Sequence, residues 1–345
     1  MGKEAFFVNT KLKRLLGKNE FYVALIIVLL AGAIQAASGL FFAVNNLVDL
    51  FRAITVNAIY ALCALFAFVS TGADVSFPMI AGMSTYIIFK LGEMTSLPAI
   101  VLVLIALLIG AVCGCINGFF IVKFHFNALI VTLSTSSICY GIAFGALKGV
   151  RINVPDALAG FANWNILKVT SAQTGLGASL HGAFIVMIVL YLAAYLVLNH
   201  TMVGRAIYAI GGDEVSARRA GFKVDQIRFG VFVVNGIIAA IGGICYACMC
   251  RNCSPMEYYG GEMIVIAAIV LGGVRLTGGH GSLLGCLLGT FLLGMVSNSL
   301  TMVGVSVYYQ NVFLGIIIIL GASIAAIQAT RSMTAIPEME KEEKK

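Results

Sequence analysis

An all-α integral membrane protein, with about ten transmembrane helices and short loops, is the fold class predicted by three features of the sequence. The first is composition: 60% of the 345 residues are hydrophobic, 11% are charged, and the mean hydropathy is +1.00. A soluble domain carries about 25% charged residues, so the polar coat of a water-exposed surface is missing. The second is the recurrence of apolar runs of about 20 residues, long enough for a helix to cross a hydrocarbon core of about 30 Å. The third is the placement of Lys and Arg, which follows the positive-inside rule. The 38 Gly fit the same class, because Gly lets membrane helices approach closely.

The predicted spans are 21–44, 54–71, 77–92, 97–121, 127–147, 181–199, 229–250, 262–276, 282–302 and 309–329. Five basic residues (Lys3, Lys11, Lys13, Arg14 and Lys18) precede the first run and assign segment 1–20 to the cytoplasm. No small-residue cleavage pattern follows that run, so it is a retained span rather than a signal peptide. An even number of spans returns the charged tail 331–345 to the cytoplasm and leaves 21–330 as the membrane domain. Sixteen of the 22 Lys and Arg then lie inside, including Lys123, Arg205, Arg218, Arg219, Lys223, Arg228 and Arg275. The outside set is Arg52, Lys90, Lys148, Arg151, Lys168 and Arg251. Topology thus accounts for the net charge of +7, and no nucleic acid is called for as a partner.

Two polar segments interrupt the spans. The outer one, 148–180, holds the only Trp, Trp164, which reads either as an interfacial anchor or as a contact for an external partner. The inner one, 201–228, is dense in charge and Gly. Within it, 213–220 forms a short helix with Asp213 as N-cap and Gly221 as the C-terminal stop. Lying along the membrane face, that helix presents Arg218 and Arg219 to whatever docks below. Gly110, Gly114 and Gly118, and again Gly281, Gly285 and Gly289, recur every fourth residue, a spacing expected of helix-packing faces.

Candidate chemistry is sparse. The nine Cys lie mostly in apolar runs and form no disulfide framework. Cys245, Cys248, Cys250 and Cys253 do not converge on one ion if they ride one straight helix, so they read as packing residues. No Walker A pattern is present, and ATP hydrolysis is assigned to a separate subunit. His-Glu-x-x-His, a nucleophile elbow and a close carboxylate pair are also missing from the spans, so the chain reads as a non-catalytic protein without cofactor or metal. Span interiors are almost free of charge, unlike those of ion-coupled carriers. Asp74, in Thr71-Gly-Ala-Asp-Val-Ser76, reads as a helix cap or as a gating or ion-coupling carboxylate. With Asn57, Asn117, Asn235, Asn298 and Gln310 it makes up the candidate translocation path, although the same groups also serve as interhelical hydrogen-bonding residues.

Four ordered motifs then carry a resemblance across most of the chain: Gly72-Ala-Asp-Val-Ser76; Gly114-Cys-Ile-Asn-Gly118 with Ile130-Val-Thr-Leu133; Gly204-Arg-Ala-Ile-Tyr-Ala-Ile-Gly211 with Ala217 to Gly221; and Ile266-Ala-Ala-Ile-Val-Leu-Gly-Gly273 with Gly278-Gly-His-Gly-Ser282. The sequence resembles the permeases of bacterial ATP-binding-cassette importers of the ribose, galactose and autoinducer-2 type. It departs from them at Ala73, at Arg275, and at Met263-Ile264 where Leu-Asp is usual. The resemblance implies a multi-pass protein of the bacterial inner membrane with both termini cytoplasmic. It implies that 201–228 couples to an ATPase subunit through Gly204, Arg205, Asp213, Glu214, Ala217, Arg218, Arg219, Ala220 and Gly221. It implies an extracytoplasmic substrate-binding protein above, a second permease copy or paralogue alongside, membrane lipid around the bundle, and a ribose-like monosaccharide or related polyol or nucleoside as cargo. A stand-alone secondary transporter or channel for a small polar solute is the alternative.

Overall fold

Apolar helices of uniform composition need lipid around them; helices with small and polar residues need other helices. The computed structural model sorts the chain along that line. It describes residues 19–302 apart from 71, 171–174 and 176, together with single positions 304, 306, 309, 312, 315, 316 and 319. The main helices are α1 (Asn19–Ser38), α2 (Val44–Ser70), α3 (Phe77–Met94), α4 (Ala99–Phe124), α5 (Ala128–Gly141, continued by a π turn to Ala146), α7 (Ala183–His200), α10 (Val224–Cys250), α11 (Glu262–Leu271) and α12 (Leu283–Met302). Between them lie α6 (Asp156–Ala162), α8 (Met202–Gly212) and α9 (Glu214–Arg219), and strands β1 (Ile152–Asn153), β2 (Asn165–Thr170), β3 (Gly177–His181) and β4 (Asn252–Cys253).

The expectation of about ten spans is matched in part. Seven helices among the described residues are long and apolar enough to cross a membrane: α1, α2, α4, α5 with its π turn, α7, α10 and α12. Helix α3 carries Lys90 and Glu93 near its end, and α11 has 10 residues. Most of the predicted span 309–329, including Gln310, the tail 331–345 and residues 1–18 lie outside the described residues. The boundary between the first two spans also moves. Helix α1 stops at Ser38, where Gly39 takes a left-handed φ of 70°, and α2 starts ten residues before the predicted Ile54. Asn46, Asp49 and Arg52 read as loop because they are polar, yet they lie on helix, where Asn46 donates to the Phe41 carbonyl at 2.8 Å and Arg52 to the Met249 carbonyl at 3.0 Å.

Helix α2 is central. Nearly every residue from Ile54 to Ser70 is buried, and it packs against α10, α12, α7, α11 and α8. Helix α4 instead has two unlike faces. Ile100, Leu104, Leu108, Val112 and Ile116 form an exposed apolar row, the face that lipid covers, while Gly110, Gly114 and Gly118 meet α10. The closest crossing is reciprocal. A Cβ on Gly110 would strike the Gly236 carbonyl, and a Cβ on Gly236 would strike the Gly110 carbonyl. The second stripe divides: Gly285 and Gly289 meet α11 at Gly272 and Ala268, whereas Gly281 precedes its helix and faces α2.

Small strands qualify the all-α expectation and the short loops. The segment 148–180 contains β1, α6 and most of the antiparallel β2–β3 hairpin, and β1 pairs antiparallel with β4 about one hundred residues away (Ile152 opposite Cys253). Cys253 therefore sits on a strand and not on α10, and no group of three or more potential metal ligands occurs among the described residues. Trp164 is 43% exposed, with one ring face against Gly182.

Overpacking a tight crossing costs about 1–3 kcal/mol. Gly236→Leu is therefore expected to lower stability in detergent by that amount or more, while Gly230→Ala, with open space at its Cβ position, leaves it unchanged. Thermal unfolding of the two variants measures the difference.

Candidate functional site

Three regions hold the residues singled out from the sequence. The first is the break at 72–76. Gly72 takes a φ of 119°, and the chain turns back into the bundle before Pro78 in the first turn of α3 starts the next helix. Asp74 is 2% exposed, and donors from three directions satisfy its carboxylate. Oδ1 accepts from the Ser76 amide at 2.9 Å and the Ser76 hydroxyl at 2.7 Å; Oδ2 accepts from Asn235 Nδ2 at 3.1 Å. The network continues outward. Asn117 donates to Ser76 Oγ at 2.9 Å and accepts from Thr135 Oγ1 at 2.5 Å, and Asn235 also donates to the Cys63 carbonyl at 3.0 Å. Asp74, Asn117 and Asn235 thus join α2, the break, α4, α5 and α10 through buried hydrogen bonds. Ser76, Thr135 and Cys63 were not foreseen, since only the fold brings five chain segments to one point.

The second region is a pair of adjoining cavities, of about 490 Å³ and about 350 Å³, which share Ala53, Asn57 and Ile264. Asn57 and Asn298 belong here and not to the Asp74 network. The larger cavity is walled by Tyr60, Tyr246 and Tyr258, with Asp49, Arg52 and Glu257 at its charged end. The smaller adds Thr290, Ser297 and Asn298, whose Nδ2 donates to Asn46 Oδ1 at 2.8 Å. Glu257 in turn pairs with Arg151 at 2.5 Å, so the cavity wall is tied to the segment that carries β1. The tyrosines come from different helices and loops, and no spacing in the sequence relates them.

The third region is 201–228. The Thr201 hydroxyl caps α8 by accepting from the Gly204 amide at 3.2 Å, and Gly204 has no room for a Cβ against the backbone of Val197 and Leu198. Arg205 is exposed. Asp213 caps α9, accepting from the Val215 amide at 3.0 Å and the Ser216 hydroxyl at 2.5 Å. At the other end Ala220 is exposed, Gly221 has a φ of 88°, and the Phe222 amide bonds back to the Ala217 carbonyl at 3.2 Å, which together form a Schellman stop. Ala217 is buried with Ile210 and Val224.

Arg218 differs from expectation. It is held by Glu214 at 3.2 Å and Asp225 at 2.9 Å, while Arg228 takes the other oxygen of Glu214 at 2.5 Å. The free cation on α9 is Arg219, which is exposed and makes no ion pair among the described residues. Helix α8 also crosses α2 and the 272–282 loop at backbone distance: a Cβ on Gly211 would strike the Val69 carbonyl, and Tyr208 donates to the Gly281 carbonyl at 2.9 Å, while the loop itself bonds α2 through the Gly279 amide and the Val69 carbonyl at 3.0 Å. A Cβ on Gly211 would lie 2.5 Å from the Gly279 nitrogen.

Two outcomes follow from these geometries. Removing one donor from a buried carboxylate costs about 1–3 kcal/mol, so Asn235→Leu is expected to destabilise the protein by that much, whereas Asn57→Ala at the cavity wall stays within about 0.5 kcal/mol; denaturant unfolding in detergent distinguishes them. The Ser216 hydroxyl holds the Asp213 carboxyl below its usual range. At Glu214 burial pushes upward, but Arg218 and Arg228 together outweigh it and the net shift is down. Depressed carboxyls stabilise above their unfolded values, about 4, and that contribution is lost as pH falls through the folded ones. Amide-exchange protection of α9, corrected for intrinsic rate, is therefore expected to be flat near neutrality and to drop in acid below about pH 4.

Comparison with known proteins agrees with the arrangement. Residues 46–322 match the family described as branched-chain amino acid transport system, permease component. The ribose import permease protein of Haemophilus influenzae is 30% identical over 311 residues, covering 90% of this chain and 94% of its own. The L-arabinose transport system permease protein of Escherichia coli is 34% identical over 288 residues, 79% of this chain and 80% of its own. The autoinducer 2 import system permease protein of Photorhabdus luminescens is 29% identical over 339 residues, 95% and 98% of the two chains. No solved structure gives a significant match. With a helical membrane bundle, a capped segment at one end and a family match over most of its length, the chain belongs to the family of branched-chain amino acid transport system permease components.

Proposed function

We propose that this chain is the transmembrane permease subunit of a bacterial ATP-binding-cassette importer for a sugar. The observation that carries the proposal is near end-to-end similarity to permeases named for ribose, arabinose and autoinducer 2 import. The chain works in the inner membrane with the α8–α9 end cytoplasmic, and both termini lie on that side. A separate ATPase subunit binds and hydrolyses ATP, a substrate-binding protein delivers the sugar at the strand-bearing end, and a second permease copy or paralogue completes the channel.

Segment 201–228 is the coupling element. Its short helix is fixed by caps at both ends, its Arg219 is unpaired and exposed, and α8 touches α2 and the 272–282 loop through backbone. A push on α9 therefore reaches α2 close to the break that Asp74 holds. ATP below and the loaded binding protein above move the permease between inward- and outward-open states only insofar as each binds the two states with different affinity. Asn57 and Asn298 line the path, while Asp74, Asn117 and Asn235 fix the helices that form it.

Reconstitution of permease, ATPase and binding protein in liposomes tests this reading through ATP-dependent uptake of D-ribose and L-arabinose. Arg219→Glu is expected to reduce uptake about tenfold through lost contact with the ATPase, with membrane insertion unchanged. Ala217→Trp is a poorer probe, because Ala217 is packed inside the segment. Uptake that proceeds at full rate without the ATPase would refute the importer reading.

A further inference from the structure

The larger cavity contains more than a water-filled passage requires. Its volume, about 490 Å³, lies within the range of small-molecule sites. Its charged groups are partly engaged: Glu257 is paired with Arg151, and Arg52, one turn from Asp49 on α2, donates to the Met249 carbonyl at 3.0 Å. Its uncharged polar groups are not. Asn57 makes no hydrogen bond among the described residues, and the Tyr60 hydroxyl is buried without a partner on a side chain that is 7% exposed. The aromatic wall is rigid. The Tyr258 hydroxyl donates to the Gly243 carbonyl at 3.0 Å, its ring meets that of Tyr246 edge-on at 5.2 Å, and Tyr60 packs on Phe77 at 5.6 Å.

We infer that this cavity is a recognition site for an uncharged, polyhydroxylated ring, so the permease itself selects sugar. Ring faces of tyrosine cover the C–H face of a pyranose or furanose, while the Asn57 amide and the Tyr60 hydroxyl take its hydroxyls. Two acids, Asp49 and Glu257, stand against the single cation Arg52 in the lining, which disfavours a phosphorylated sugar. Asn57 stands where the two cavities meet, so sugar leaving the larger one passes the same amide on its way to Asn298.

The inference rests on the importer reading, and one experiment separates the two. The permease alone, in lipid nanodiscs without ATPase or binding protein, is titrated with radiolabelled D-ribose and L-arabinose, with L-leucine and ribose 5-phosphate as competitors. Saturable binding of a pentose is expected, resistant to both competitors and weakened about tenfold by Asn57→Leu and by Tyr246→Leu with the melting temperature unchanged. No saturable binding of either pentose, while the complete complex imports one of them, overturns the site and leaves the importer intact. Displacement by L-leucine overturns the sugar assignment, and binding unchanged in both variants overturns its location. A complex that imports neither pentose, with a permease that binds neither, removes both readings.

Discussion

Backbone polar groups inside a membrane must find partners in the protein, because hydrocarbon offers none. The chain departs from regular helix at 72–76, and the rest of the bundle is organised around satisfying that departure. Ser76 and Asn235 meet the Asp74 carboxylate; the Val75 amide finds Thr132 Oγ1 at 3.3 Å; the Gly72 amide returns to the Ala67 carbonyl at 3.0 Å. Asn235, Thr132 and Ala67 lie on three different helices, so α10, α5 and α2 hold their relative positions through this one feature, and α4 joins through the Asn117 bond to Ser76.

Close approach of backbones has the same organising effect elsewhere. Burial of apolar surface does not drive helices together in lipid, so contact depends on packing and hydrogen bonding. The Gly110–Gly236 crossing lets α4 and α10 touch along their length and leaves the outer row of α4 for lipid. At the α8–α9 end, Gly211 and Gly279 do the same for α8 against α2. These crossings connect the ends of the molecule by stiff elements instead of loops. The cavity at Asn57 lies on α2, the helix that receives both the crossing with α8 and the break.

Electrostatics divides by location. Inside the bundle each charged group is caught by specific donors, as Asp74 is, or sits at the mouth of a cavity, as Asp49 and Arg52 do. On the α8–α9 face, Glu214, Arg218, Asp225 and Arg228 form a compact network that shapes the segment, leaving Arg219 available. Charge in the first setting positions helices; in the second it also prepares a surface.

Much of this was legible in the residues. Membrane class, the Asp213 N-cap, the Gly221 stop and the packing face at Gly110 each depend on local chemistry or on a period along one helix, and local sequence carries both. The start of α2 was misread because polarity stood in for loop, although a helix lining a cavity tolerates Asp49 and Arg52. Two-stranded pairing of β1 with β4, the engagement of Arg218, and the separation of five polar candidates into a buried network and a cavity wall were not legible. Each depends on which residues of distant segments face each other. A sequence by itself determined what this protein must be immersed in and where its helices end, because solvation and capping are local. Tertiary structure alone decided which amides hold the bundle and which line a cavity, because that follows from helix rotation and contact between segments far apart in the chain.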